Sequence, residues 1–180
     1  MVYVLLGQGF EEVEALAPVD ILRRGGVEVQ TAGIGGKWIT GAHGITVEAN
    51  ITVEEMDDNA LEMIVLPGGL GGVKSIEDSR VAMEKIQIAF AEEKFVCAIC
   101  AAPTVLEKLG ITAGKTVTCY PDMKEQMLSA HATDAPVTQD GNVICGQAAG
   151  SAMEFGFTLL TALKGEETAN AVRKAMVFAS

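Results

Sequence analysis

Short apolar runs alternate with amphipathic stretches along this chain, and their order predicts strands interleaved with helices. Residues 2–6, 62–66 and 95–99 are nearly unbroken apolar runs, the pattern of parallel strands buried on both faces. Residues 27–32 alternate like a further strand, and 115–119 complete the set. Between them, helical spacing covers 11–24, stopped by Gly25-Gly26, and a helix capped by Asp78-Ser79 that runs to about Glu93 with Val81, Ala82, Ile86, Ala89 and Phe90 as its apolar stripe. A short helix over 104–109, another over 123–130, and two C-terminal helices over about 151–163 and 166–177 follow, the first opened by a Ser151–Glu154 capping box. Glycine-bearing turns mark a hairpin or arm over 35–47, and Asp140-Gly141 marks the tip of a second hairpin over 136–145. Residues 53–60 are acidic and turn-rich. Strand and helix alternating in this way predict one doubly wound α/β domain over 1–180 with a mostly parallel sheet.

Composition narrows the functional classes. A formal net charge of −11 with scattered Lys and Arg argues against a nucleic-acid partner, because neutralising phosphates needs clustered bases. No apolar segment is long enough for a membrane span, and the start of the chain reads as a strand with neither basic residues nor a cleavage site, so a cytoplasmic location is expected. Four cysteines in 180 residues do not suggest a disulfide scaffold. Cys97 and Cys100 have redox-pair spacing, but residues three apart on a strand point to opposite faces, which argues against a dithiol or metal site. Gly7-Gln8-Gly9 follows a strand as in a dinucleotide fingerprint, yet the third glycine is missing and Glu11-Glu12 would meet the pyrophosphate.

Three strand ends carry candidate chemistry. Cys100 falls where the 95–99 run gives way to a helix, the geometry of a nucleophile elbow, where amide N–H groups and the helix dipole favour a thiolate at neutral pH. The plainer reading is a small apolar core residue. Glu14 shares a helical face with Ala17, Pro18 and Ile21, so it is either a buried carboxyl group that must be paired or protonated, or a solvated one on a rotated helix. Pro18 removes the N–H that the Glu14 carbonyl would accept. Pro67-Gly68-Gly69-Leu70-Gly71-Gly72 is a loop whose backbone N–H groups can approach a ligand. His43 and His131 are the two histidines and neither follows a core strand, so a Cys-His nucleophile pair is poorly supported. Trp38 is either an interface anchor or a cover for the core edge.

Gly9-Phe10-Glu11-Glu12-Val13-Glu14, Leu66-Pro67-Gly68-Gly69 and Ala98-Ile99-Cys100-Ala101-Ala102-Pro103 together resemble the three signatures of the ThiJ/PfpI superfamily, most closely the branch of the parkinsonism-associated deglycase and YajL. The resemblance implies a flavodoxin-like three-layer sandwich, similar to class I glutamine amidotransferases, that forms a homodimer and needs no cofactor or metal. It implies that Cys100 is the reactive residue, Glu14 a mostly protonated acid hydrogen-bonded to its sulfur, and Gly69 and Ala101 the oxyanion donors. Gly68, Tyr120, Arg24 and His43 would bind substrate. The activities implied are glyoxalase- or deglycase-like conversion of 2-oxoaldehydes, or of small glycated thiols and amines, with peroxide sensing or chaperone action through the same cysteine, or a non-catalytic binding dimer, as alternatives. Ala101 stands where the peptidase branch has histidine, which argues against peptidase activity. Tyr120 stands where the deglycase has histidine, and His43 where it has arginine.

Overall fold

In the computed structural model, which describes residues 1–178, a seven-stranded sheet forms the middle layer. Its strands are β1 (Val2–Leu6), β2 (Val29–Gly33), β5 (Ile51–Thr52), β6 (Met63–Leu66), β7 (Phe95–Ile99), β10 (Val137–Asp140) and β11 (Val143–Gly146), in the order β10-β11-β7-β6-β1-β2-β5. All neighbours are parallel except β10 and β11, the hairpin with Asp140-Gly141 at its tip. Helices cover both faces: α1 (Glu12–Arg24), α5 (Ala152–Lys164) and α6 (Glu166–Ala175) on one, α2 (Leu70–Asp78), α3 (Arg80–Ala91) and α4 (Pro103–Lys108) on the other. Every residue of β1 and β6 is buried, which the unbroken apolar runs require of strands sandwiched between two helical layers. This is the flavodoxin-like α/β architecture, and the carboxyl ends of β1, β6 and β7 lie side by side at its centre.

Several elements depart from the sequence pattern. The glycine-rich stretch after β6 is not a loop throughout, because Leu70 to Asp78 form α2. Its glycines answer to packing: a Cβ on Gly72 would sit 2.7 Å from the Phe10 Cα, and one on Gly71 2.8 Å from the Gln8 carbonyl oxygen. Asp78 ends that helix, and Ser79 alone caps α3 by accepting from the Ala82 N–H. Residues 116–118 form β8 (Thr116–Thr118), which leaves the main sheet and pairs in parallel with β9 (His131–Thr133), because the β10–β11 hairpin takes the place beside β7. Pro121–Gln126 is a 3-10 turn, where an α-helix over 123–130 was expected. The Ser151 hydroxyl bonds Gln147 and Ala148 instead of completing a capping box. The arm over 35–47 is the hairpin of β3 (Trp38–Thr40) and β4 (Thr46–Glu48), which leaves Trp38 67% exposed.

Candidate functional site

Cys100 follows the last residue of β7 with φ of 66°, in the left-handed region that a side chain enters only at a cost. Two backbone bonds hold it there: its N–H donates to the Gly146 carbonyl at 3.0 Å, and its carbonyl accepts from the Tyr120 N–H at 2.7 Å. Strain of this kind persists where the surroundings over-determine it, as at the elbow that turns a strand-end nucleophile outward. The second bond also carries Tyr120 to the site, although β8 lies outside the main sheet.

Glu14, on the first turn of α1, points inward and is almost fully buried. Its Oε2 accepts the Gly68 N–H at 2.9 Å, and its carboxyl group is hydrogen-bonded to the Cys100 sulfur. Gly68 has to be glycine, because a Cβ there would sit 2.5 Å from Glu14 Oε2 and 2.7 Å from the Cys100 Cβ. Gly68 therefore holds the acid in place; it is buried behind the site and is not among the residues that line the cleft. The N–H groups of Gly69 and Ala101 both point at the sulfur, and Gly69 has a φ of 81°. α1 runs through Pro18 and packs that turn against Gly156 of α5.

The charge on this pair differs from the expected populated thiolate. Burial pushes Cys100 up to about 12, the ionised Glu14 beside it adds to the rise, and the amides of Ala101 and Gly69 offset only part of it. Burial likewise lifts Glu14 to about 7, reinforced by the charge of Glu11 and opposed by the Cys100 thiol and the Gly68 amide. Over neutral to alkaline pH the two groups hold one proton between them. A thiolate forms when that proton sits on Glu14.

The sulfur opens into a cleft of about 390 Å³ walled by Glu11, Ala42, His43, Leu70, Tyr120, Asp122 and Met123. His43 and Tyr120 thus meet the site as expected, whereas Arg24 does not. It closes the far end of α1, ten residues or about 15 Å of helix from Glu14, and pairs with Asp20 at 2.7 Å. Cys97 is wholly buried and burial pushes its thiol well above the ordinary range, which leaves no accessible dithiol.

Glu11 and Glu12 belong to the site in ways their sequence did not reveal. Glu11 caps α1 by accepting the Glu14 N–H at 2.7 Å while facing the cleft. Glu12 accepts from the His43 N–H at 2.8 Å, the Ile45 N–H at 3.3 Å and His43 Nδ1 at 2.9 Å, and so hooks the β3–β4 tip over the cleft. Burial raises its pKa, but these bonds outweigh burial and leave it below the usual carboxylate range, while His43 is raised by the same bond. Glu11, Glu12 and His43 are also the group among the described residues close enough to share a cation, which would have to displace the Glu12–His43 bond. Glu12→Ala is expected to cost about 1 kcal/mol in urea unfolding and to return His43 toward its ordinary pKa, read by NMR titration.

A doubly wound sheet with a strained cysteine, a buried carboxyl group and two amide donors at its central carboxyl edge defines a cysteine-elbow protein of the flavodoxin-like class. The chain belongs to the DJ-1/PfpI family, whose model matches residues 1–162. It is 34% identical to Protein dj-1beta of Drosophila melanogaster over 98% of this chain and 96% of that one, and the crystal structure of DJ-1beta superposes with a TM-score of 0.95 at 32% identity, covering 99% and 98%. A deglycase of Pyrococcus abyssi is 34% identical over 83% of this chain and 90% of its own. A structure of Toxoplasma gondii DJ-1 described as oxidized matches with a TM-score of 0.93 at 28% identity, covering 99% and 98%. No helix among the described residues is long and apolar enough to cross a membrane.

Proposed function

We propose that this chain is a stress-defence protein of the DJ-1 type that converts small 2-oxoaldehydes, or early glycation adducts, through Cys100, acting as a homodimer in the cytoplasm without a cofactor. The observation that carries the reading is the Cys100 sulfur, open to a cleft, hydrogen-bonded to Glu14 and faced by two amide donors. The deglycase named among the relatives supports the substrate class.

In this mechanism the thiol proton passes to Glu14 as the sulfur bonds to the aldehyde carbon. The aldehyde oxygen becomes an oxyanion stabilised by the Gly69 and Ala101 N–H groups and is then protonated to a hemithioacetal. Glu14, ionised again, takes the proton from the former aldehyde carbon to give an enediolate and returns it to the neighbouring carbon, while the hemithioacetal hydroxyl proton passes to the neighbouring oxygen, leaving the thioester of a 2-hydroxy acid. Water hydrolyses the thioester, releasing a 2-hydroxy acid and the thiol. Water plus 2-oxoaldehyde gives hydroxy acid, with no external oxidant. A carboxyl group lifted to about 7 suits both the donor and acceptor steps.

A second reading has its own support. Two amides and a protonated acid around one sulfur also suit a sulfinate, and the relative described as oxidized is consistent with it. Purified protein incubated with methylglyoxal under chelation, with lactate as the product assayed, tests the first reading, and no lactate above background would sink it. Stable addition of two oxygens at Cys100 at peroxide levels that spare the methionines, followed by intact mass, would support the second.

A further inference from the structure

The walls of the cleft carry an imbalance of charge. Glu11 and Asp122 face it, and neither Lys nor Arg lines it. Its one cationic candidate, His43, is tied to Glu12 at 2.9 Å, so that pair adds no net positive charge. The lysines around it are paired: Lys124, next to Met123 on the same 3-10 turn, with Asp134, and, along the adjoining groove, Lys74 with Asp78 at 2.8 Å and Lys108 with Glu77 at 2.5 Å. Glu11 lies 3.8 Å from His43 Nδ1 through one oxygen, while its other oxygen caps α1. Asp122, exposed on the 3-10 turn after Tyr120, has no side-chain hydrogen bond or ion pair among the described residues. The field of Glu11 reaches the reacting pair, since it helps to raise Glu14. A concave site with low-dielectric walls and charge of one sign focuses potential and concentrates ligands of the opposite sign.

We propose that Glu11 and Asp122 select substrate by charge, so that the cleft favours a carbonyl compound or adduct carrying an ammonium or guanidinium group near its reacting carbon and disfavours one carrying a carboxylate or phosphate. The inference rests on the cleft being the reaction site, and deepens that reading by naming the substrate class. In this arrangement the positive group lies between Glu11 and Asp122 while the carbonyl carbon meets the sulfur. Neutral aldehydes are admitted without this preference.

Charge selection is read on the sulfur itself, whether or not any substrate turns over. Methanethiosulfonates of matched size transfer their alkylthio group to Cys100 as a mixed disulfide with release of methanesulfinate. The cationic trimethylammonioethyl and anionic sulfonatoethyl reagents are compared by intact mass, with the rate ratio referenced to 2-mercaptoethanol. The ratio cancels any change in thiolate fraction that a substitution causes. At low salt the cation-to-anion ratio is expected to exceed the reference by about tenfold, and to shrink severalfold at about 0.5 M salt. Glu11→Gln, which keeps an acceptor for the helix cap, and Asp122→Asn are each expected to lower it by about threefold. A ratio equal to the reference, or unmoved by both substitutions, would overturn the proposal. A raised ratio without lactate formation would leave charge selection standing and remove the enzymatic reading, whereas lactate formation with a reference-like ratio would remove charge selection alone.

Discussion

Cys100→Ala is expected to lower methylglyoxal consumption by at least about 10³-fold, because a hemithioacetal needs a thiol and Cys100 carries the one thiol among the described residues that line the cleft. The loss should come without a loss of fold. The strained backbone at this residue is held by the Gly146 and Tyr120 bonds, which do not involve the side chain. Cys100→Gly provides the sharper control. Glycine enters the left-handed region freely, which relieves strain of about 1–2 kcal/mol, while the greater freedom of its unfolded chain takes back about 0.5–1 kcal/mol. The glycine variant should therefore be inactive and slightly more stable than the parent, as measured by urea unfolding. Full turnover in the alanine variant would refute the mechanism, and a glycine variant clearly less stable than the parent would refute the strain.

Glu14→Gln is expected to change both the stability profile and the sulfur. The folded carboxyl group sits at about 7 against an unfolded value of 4.5, so its neutral form is favoured by the fold. A raised pKa contributes stability that is fully present below about 4.5 and is lost as pH rises through about 7. The shift of roughly 2.5 units amounts to about 3 kcal/mol lost across that window. Glutamine has the shape of the neutral acid: its oxygen can accept the Gly68 N–H while its amide donates toward the sulfur. The variant should match the parent near pH 4.5 and exceed it in unfolding free energy by up to about 3 kcal/mol above pH 7. With the anionic neighbour gone, the thiol pKa should fall below about 12, seen as an alkylation profile displaced to lower pH. Turnover should nonetheless fall by about 10²-fold or more, because an amide cannot accept the proton. An unchanged alkylation profile would show that the two groups do not share a proton.

The two effects separate reactivity from catalysis. A site tuned only for a nucleophilic sulfur would do better with glutamine, whereas a site that must move protons needs an acid poised near the working pH. The burial that makes the acid available also keeps the cysteine protonated until the pair rearranges. On this reading a partly buried thiol stays protonated between encounters and yet reacts in place.

The sequence by itself determined the four central strands, β1, β2, β6 and β7, and the burial of the runs among them, because a strand covered on both faces must be apolar throughout and a helix covered on one must carry a stripe. It also singled out the three strand ends that meet at the candidate site, since cysteine, glutamate and the glycine pair stand out where core runs stop. Tertiary structure decided the rest. Whether Glu14 faced the sheet or water depended on the rotation of α1, which is fixed by its packing on α5 and by the Gly68 amide. The stretch after β6 looked like a loop because its glycines suited one, yet they are required by the approach of Phe10 and Gly9 and leave a helix behind. Glu11 and Glu12 stood out in the sequence as an obstacle to a pyrophosphate, whereas in the fold Glu12 holds a hairpin tip 31 residues away and Glu11 faces the cleft. Above all, the charge of Cys100 could not be read from an elbow motif: amide donors lower a thiol pKa, but burial and a neighbouring carboxylate raise it, and their balance exists only once the chain has folded.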